Sequence, residues 1–370
     1  MNIVYLIAAI IVMALLECVV EPLAMPMQRV AIVTGASRGI GKGIALELGQ
    51  AGYAVHCLGR STRNANAERD IAAEMGPYRR LPENEELTVE RTAEQVSSLG
   101  GRGVAHVCDC SVDGEVAFTI RSITESEGGR LDCLVCSAYS VPAQKLRDDF
   151  WKQGMEMWDA VNGVGLRSVY ATCLAAAPSM IETAKIPNSP PPLMCLVSSF
   201  GGKSYTFNVA YGVGKAAVDR LANDMALQLR SHDVATVSLY PGLVRTEANL
   251  EMEKMETWNE ASGNLDLSSG ESTRFSGKAL TKLLSLEKNS IMERSGTVQV
   301  VAELADEFDF DDVDGKRPPS IRSLQYLLPN FVYPQIEKES GKELPDWIKS
   351  NIPNILLPWS VFSSGPPPEK

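Results

Sequence analysis

Positive charge is scarce in this chain. Over 370 residues, 35 lysines and arginines face 46 aspartates and glutamates, a formal net charge of −11. A nucleic-acid binder needs a basic face to meet phosphates, so that class of function is set aside, and no nucleic-acid partner is expected. Acidity of this size serves solubility. Cysteine is sparse too: eight in a chain this long do not make a disulfide scaffold. Cys108 and Cys110, and Cys133 and Cys136, are spaced closely enough to suggest zinc ligands. Both pairs fall in short apolar runs that read as buried strands, where free cysteine behaves as a small hydrophobe, and no metal site is expected.

Lysine and arginine are missing altogether before Arg29. Ile3 to Leu16 is an unbroken apolar run, Glu17 interrupts it, and Cys18, Val19 and Val20 follow. Residues 3–20 come close to the shortest membrane span, ~18 residues. They lack the basic start of a secretory signal. With the first positive charge beyond the segment, positive-inside bias keeps the following domain facing the cytosol. Three readings stand. The segment is a signal-anchor on the endoplasmic reticulum or another organelle, a cleaved or targeting leader, or an upstream extension with the working start at Met25 or Met27. The last leaves a cytoplasmic protein. Each sets residues 1–24 apart from the fold, and any membrane association runs through residues 3–20.

From Arg29 onward, short apolar runs alternate with amphipathic stretches. Runs at 29–34, 54–58, 103–108, 133–136, 193–198, 235–239 and 296–301 read as fully buried strands. Helices are expected at 40–49, 116–127, 157–180 and 213–229. This alternation predicts an α/β fold, a Rossmann-type doubly wound parallel sheet of about seven strands in a single domain. Three segments break the rhythm: a charged insertion near 61–90, a proline loop at 186–192, and a polar stretch at 247–275 after a strand end. Long loops at strand carboxyl ends are where such folds build binding sites. The last stretch carries Leu250, Met252, Met255 and Trp258, apolar enough to suit a hydrophobic substrate. The domain is expected over 27–318. A proline-rich, apolar extension at 319–370 includes Trp347, Ile352, Leu356, Leu357, Trp359 and Phe362. It is expected to pack against the domain edge, with a membrane-surface or oligomer contact as the alternative.

The first strand runs into Thr34-Gly-Ala-Ser-Arg-Gly-Ile-Gly41 and then into a helix. Gly35, Gly39 and Gly41 let the backbone turn sharply and approach a pyrophosphate. The following helix start offers unpaired N–H groups and a partial positive charge. Where an acid would bind the ribose hydroxyls of NAD, the second strand ends in Leu58-Gly-Arg60-Ser61. Arg60 and Arg38 offer guanidinium forks suited to a 2′-phosphate, which favours NADP(H) over NAD(H). Further on, Tyr211 and Lys215 stand four residues apart, on one face if the stretch is helical. A nearby ammonium lowers a phenol pKa, which suits Tyr211 to general acid/base work.

These residues resemble the classical branch of the short-chain dehydrogenases/reductases. The resemblance rests on TGASRGIG at 34–41, CD at 108–109, GRLDCLV at 129–135, the YxxxK pair and PGLVRT at 241–246, and covers roughly 28–310. MWDAVNGVGL at 157–166, FNVAYGVGKAA at 207–217 and DVDGK at 312–316 narrow it to the member-1 type of dehydrogenase/reductase. The resemblance implies that Tyr211 is the catalytic acid/base and that Lys215 tunes it and holds the nicotinamide ribose. It gives Ser198, thirteen residues before the tyrosine and next to Ser199, the task of polarising the substrate carbonyl. Asn162 would sit at a helix distortion that holds a relay water. Cofactor contacts fall to Gly35, Ser37, Arg38, Gly39, Ile40, Gly41, Arg60, Asp109, Tyr211, Lys215, Val244 and Thr246.

One departure is clear. The family's Asn-Asn-Ala-Gly is here Cys136-Ser137-Ala138-Tyr139, so the side-chain amides are gone and Tyr139 is free to shape the substrate site. The expected activity is reversible NADP(H)-dependent reduction of a hydrophobic ketone or aldehyde to an alcohol, in a homodimer or homotetramer. The altered segment supports an alternative: a membrane-associated NADP(H)-binding sensor or scaffold with little catalysis.

Overall fold

Seven short runs of valine, isoleucine, leucine and cysteine become seven parallel strands. The computed structural model describes residues 28–63, 84–140, 148–263 and 265–362. The expected leader at 1–24 and most of the insertion near 61–90 lie outside the described residues. The strands are β1 (Val30–Thr34), β2 (Ala54–Gly59), β3 (Arg102–Val107), β4 (Cys133–Cys136), β5 (Leu193–Val197), β6 (Ala235–Tyr240) and β7 (Val298–Val300). They lie side by side in the order β3-β2-β1-β4-β5-β6-β7, and every pairing is parallel. The order reverses between β1 and β4, which opens a crevice at their carboxyl ends. Strands β3 and β4 are not neighbours, yet Cys108, Cys110 and Cys136 share one core, and no metal-binding cluster occurs among the described residues.

The helices before the C-terminal segment are α1 (Gly39–Gln50), α2 (Val89–Ser98), α3 (Asp113–Ser126), α4 (Gly154–Asn162), α5 (Ser168–Thr183), α6 (Val209–Leu229), α7 (Glu247–Lys254), α8 (Trp258–Ser262), α9 (Thr273–Leu283), α10 (Lys288–Arg294) and α11 (Val301–Phe308). Successive strand residues point to opposite faces, and both faces are apolar. Ala31 and Val33 of β1 join a core with α1, α2, α9, α10 and α11. Val30 and Ile32 join another with α3, α5 and α6.

Three differences from the sequence reading have physical causes. Strand β3 is half-exposed rather than fully buried, because it ends the sheet. Helix α2, at the end of the charged insertion, is not among the expected helices; its Val89, Thr92, Ala93 and Val96 are buried at helical spacing beneath a charged outer face. The single helix expected at 157–180 is instead α4 and α5 joined by a π-helical turn, Gly163–Arg167. Gly154–Thr183 is also the one helix among the described residues long and apolar enough, by length and composition, to cross a membrane. Its Val169, Cys173, Ala176 and Met180 belong to the core.

The segment after Pro318 folds back on the sheet edge. Trp359 stacks near Tyr240 and Phe200, at 5.8 and 6.3 Å between ring centres, and Phe362 meets Phe200 edge-on at 5.0 Å. The Arg322 guanidinium lies over the Trp359 ring and pairs with Glu303 of α11. Trp347 remains exposed.

Candidate active site

Helix α6 delivers two of the expected residues. Asn208 caps it, its side-chain oxygen accepting from the Tyr211 backbone N–H at 2.9 Å. That fixes the first turn, and Tyr211 and Lys215 project toward the crevice from one face. Phe207, held in the left-handed region at φ 60° like few non-glycine residues, packs its ring edge-on against Tyr211 at 5.1 Å.

The serines after β5 part company. The Tyr211 hydroxyl donates to Ser199 Oγ at 2.7 Å. The Ser198 hydroxyl is buried and turned the other way, donating to the Lys215 backbone carbonyl at 3.2 Å. Of the two, Ser199 rather than Ser198 lies within reach of the phenol. Consecutive residues of an extended chain point to opposite sides, so only one of the two can face Tyr211. Ser199 also starts the short turn Phe200–Gly202, accepting from the Gly201 N–H at 3.1 Å.

Lys215 is buried, and its ammonium donates to the Val197 carbonyl at 3.1 Å. It lies 5.0 Å from the Tyr139 ring centre and 5.9 Å from that of Tyr211. Burial pulls its pKa down to about 8, against an upward pull from Asp219. For Tyr211, burial pushes the phenol up, and the bond to Ser199 opposes this. Desolvation thus leaves the phenol above its ordinary value rather than below it.

Asn162 ends α4 where the π turn begins, so the helix distortion expected there is present. Its amide donates to the Ala210 carbonyl at 3.4 Å, while its Oδ1 is buried without a hydrogen-bond partner. A side-chain carbonyl in that position suits a bridging water. Gly214 permits the approach: a Cβ there would meet Asn162 Oδ1 at 2.3 Å.

The altered segment after β4 is held through backbone. The Thr34 hydroxyl donates to the Val135 carbonyl at 3.3 Å and accepts from the N–H groups of Ser137 and Ala138 at 3.1 and 3.3 Å. Tyr139 enters the site, its ring edge-on to Tyr211 at 6.0 Å. With Val161, Gly165, Tyr211, Gly214 and Lys215 it lines a narrow pocket. Trp258 is buried, its indole N–H bonded to the Leu265 carbonyl. Leu250 and Met255 stay exposed.

The residues expected to hold a dinucleotide gather along the crevice. Gly35, Ser37 and Arg38 form the turn into α1, and Gly39, Ile40 and Gly41 begin it. Gly39 has φ +57°, a conformation L side chains rarely adopt, and only the Thr246 methyl, at 3.8 Å, lies near where a Cβ would stand, as suits a phosphate-binding turn. Arg38 donates to Ser61 Oγ at 2.7 Å, and Arg60 lies 3.7 Å from Asp109, so both arginines stand at the carboxyl end of β2. Val244 bridges to Glu271, and Thr246 caps α7 by accepting from the Asn249 N–H. The donor set fits a dinucleotide. Glu271 carries no sequence signal: it is a buried glutamate beneath the 241–246 loop.

A family profile described as "short chain dehydrogenase" matches residues 29–81, and one described as "Enoyl-(Acyl carrier protein) reductase" matches residues 80–291. The chain is a short-chain dehydrogenase/reductase. Among curated relatives of this oxidoreductase family, the mouse protein "Dehydrogenase/reductase SDR family member 1" is 38% identical over 339 residues, covering 90% of this chain and 95% of its own. Solved short-chain dehydrogenase/reductase structures share the fold. A metagenomic short-chain oxidoreductase in complex with NADP has a TM-score of 0.53 at 22% identity, covering 74% of this chain and 96% of its own. A 3-oxoacyl-[acyl-carrier protein] reductase from Brucella melitensis in complex with NAD has a TM-score of 0.58 at 20% identity, covering 74% and 95%. The family's chemistry is NAD(P)-dependent, with one relative holding each nucleotide.

Proposed function

We propose that this short-chain dehydrogenase/reductase reduces a hydrophobic ketone or aldehyde to an alcohol with NADP(H). The observation that carries the reading is the Tyr211–Ser199 hydrogen bond beside the buried Lys215. A nicotinamide cofactor supplies the hydride when bound. As negative charge grows on the carbonyl oxygen, Tyr211 delivers a proton to it and Ser199 donates a hydrogen bond. Ser199 takes the role expected of Ser198. Lys215 places a positive charge beneath the site, and Asn162 supports the water through which Tyr211 regains its proton. Arg38 and Arg60 support a preference for NADP(H), because both guanidiniums flank the end of β2 where a 2′-phosphate would lie.

The catalytic domain is assigned to 27–318 and the extension to 319–370. Self-association as a homodimer or homotetramer draws support from exposed apolar side chains on α5 and α6, Tyr170, Leu174, Val213 and Leu227. Membrane association through residues 3–20, with a cytosol-facing domain, remains the proposed location. A second reading, an NADP(H)-binding sensor, is favoured by one observation: the Tyr139 ring stands in the pocket against Tyr211 and Lys215.

Purified full-length protein, offered NADPH and NADH in parallel over a panel of aliphatic, aromatic and steroid-like carbonyls, tests the assignment. NADPH oxidation with an apolar carbonyl supports it. Binding of NADPH with no turnover on any carbonyl supports the sensor and overturns the reductase.

A further inference from the structure

Helix α1 begins without a cap of its own. Its N-cap residue is Arg38, whose side chain makes no capping hydrogen bond. The Gly39 N–H is bonded instead by a carboxylate from far along the chain, Glu247 Oε2, at 2.8 Å. Glu247 is the first residue of α7, directly after Thr246, and the Thr246 methyl lies 3.8 Å from where a Cβ of Gly39 would stand. Lys42, one turn into α1, feels the same carboxylate: Glu247 opposes the lowering that burial imposes on the lysine. A negatively charged oxygen therefore rests on the start of a helix that follows a glycine turn, close to a lysine. That is the electrostatic environment a dinucleotide phosphate requires.

We propose that the Glu247 carboxylate is an internal competitor for the anion position at the start of α1, so that a dinucleotide phosphate and a docked α7 exclude one another there. This rests on the dinucleotide reading of the glycine loop. Two anions cannot share one N–H donor at contact distance, because their repulsion adds to the loss of the hydrogen bond. Cofactor entry then releases α7 from α1. Since α7 opens the 247–269 segment that carries Leu250 and Met255, occupation of the phosphate position is relayed to a wall of the substrate site.

The test uses full-length protein and its Glu247→Gln and Glu247→Asp variants, with circular dichroism to confirm folding. NADPH affinity is read by quenching of protein fluorescence, and exposure of α7 by the rate of tryptic cleavage after Lys254. Loss of the charge is expected to tighten NADPH binding by about tenfold, the scale of one charge-assisted hydrogen bond. Cleavage after Lys254 should be faster in Glu247→Gln than in wild type before any cofactor is added. Glu247→Asp, which keeps the charge, should lie between the two. Equal or weaker NADPH binding by Glu247→Gln, with wild-type binding intact, overturns the competitor while leaving the dinucleotide site standing. Failure of wild type and variants alike to bind NADPH or NADH overturns the dinucleotide reading, and the competitor with it.

Discussion

Tyr211 and Ser199 share a 2.7 Å hydrogen bond, phenol to hydroxyl, while Ser198 turns to the backbone of Lys215. Replacing each in turn separates chemistry from structure. Tyr211→Phe should lower kcat by roughly 10²–10⁴, the contribution of a general acid. Ser199→Ala removes a donor to the developing oxyanion and should cost roughly 10²–10³. Ser198→Ala should leave kcat within a few-fold and lower stability by about 1 kcal/mol, the worth of one hydrogen bond. Steady-state kinetics and thermal unfolding of the three variants check this, and a larger loss in Ser198→Ala than in Ser199→Ala would reverse the assignment.

Gly214 and Asn162 are coupled by contact. A methyl at Gly214 would fall 2.3 Å from Asn162 Oδ1. Gly214→Ala should displace the asparagine and lower kcat by about the same factor as Asn162→Ala, because both disturb one relay. The double variant should then lose less than the sum of the two free-energy changes. Additive losses would show that the two residues act separately.

Glu271 should make stability fall with rising pH. Burial is the largest cause that raises its carboxyl from 4.5 to about 8. The negative charge of Asp312 adds to this, and the nearby Gly242 N–H and Ser276 hydroxyl oppose it, although neither carboxylate oxygen has a hydrogen-bond partner; Tyr326 also faces the carboxyl. Between those two pH values the folded chain holds a proton that the unfolded chain has lost. Stability from this group is therefore complete below about pH 4.5 and is lost as pH rises to about 8, at a slope approaching 1.4 kcal/mol per pH unit. Urea unfolding at stepped pH should show the decline, and Glu271→Gln should remove it.

Arg38 and Arg60 should set nucleotide preference. Removing either guanidinium by alanine substitution should raise KM for NADPH by roughly tenfold or more, the scale of a charge-assisted bond to phosphate. KM for NADH should change little. Parallel kinetics with both nucleotides decide the matter, and equal loss for the two would place the arginines in a structural role.

Much of this was legible in sequence, because burial leaves a plain signature. Each of the seven apolar runs is a strand, since both sheet faces are covered. The glycine turn could be placed because it follows a strand and opens a helix. Helix α2 was hidden because Glu90, Arg91 and Glu94 dominate its composition, although Val89, Thr92, Ala93 and Val96 keep helical spacing. The choice between Ser198 and Ser199 depends on which way one residue faces after β5, and adjacent positions look alike in a motif. The contact between Gly39 and Glu247 spans 208 positions and joins two ordinary residues, so no local pattern announces it. Glu271 reads as one more acid in a polar stretch until the fold encloses it.

Thr34 spends its whole hydrogen-bonding capacity across the gap between β1 and β4. One donor reaches Val135 and both acceptor positions are taken by Ser137 and Ala138. Nothing is left on that hydroxyl for a ligand. The cleft therefore has one fixed jaw, pinned by Thr34, facing a second jaw built on α7. Variation in the fixed jaw would weaken folding, whereas the proposed release of α7 leaves the second jaw open to variation in what the site accepts.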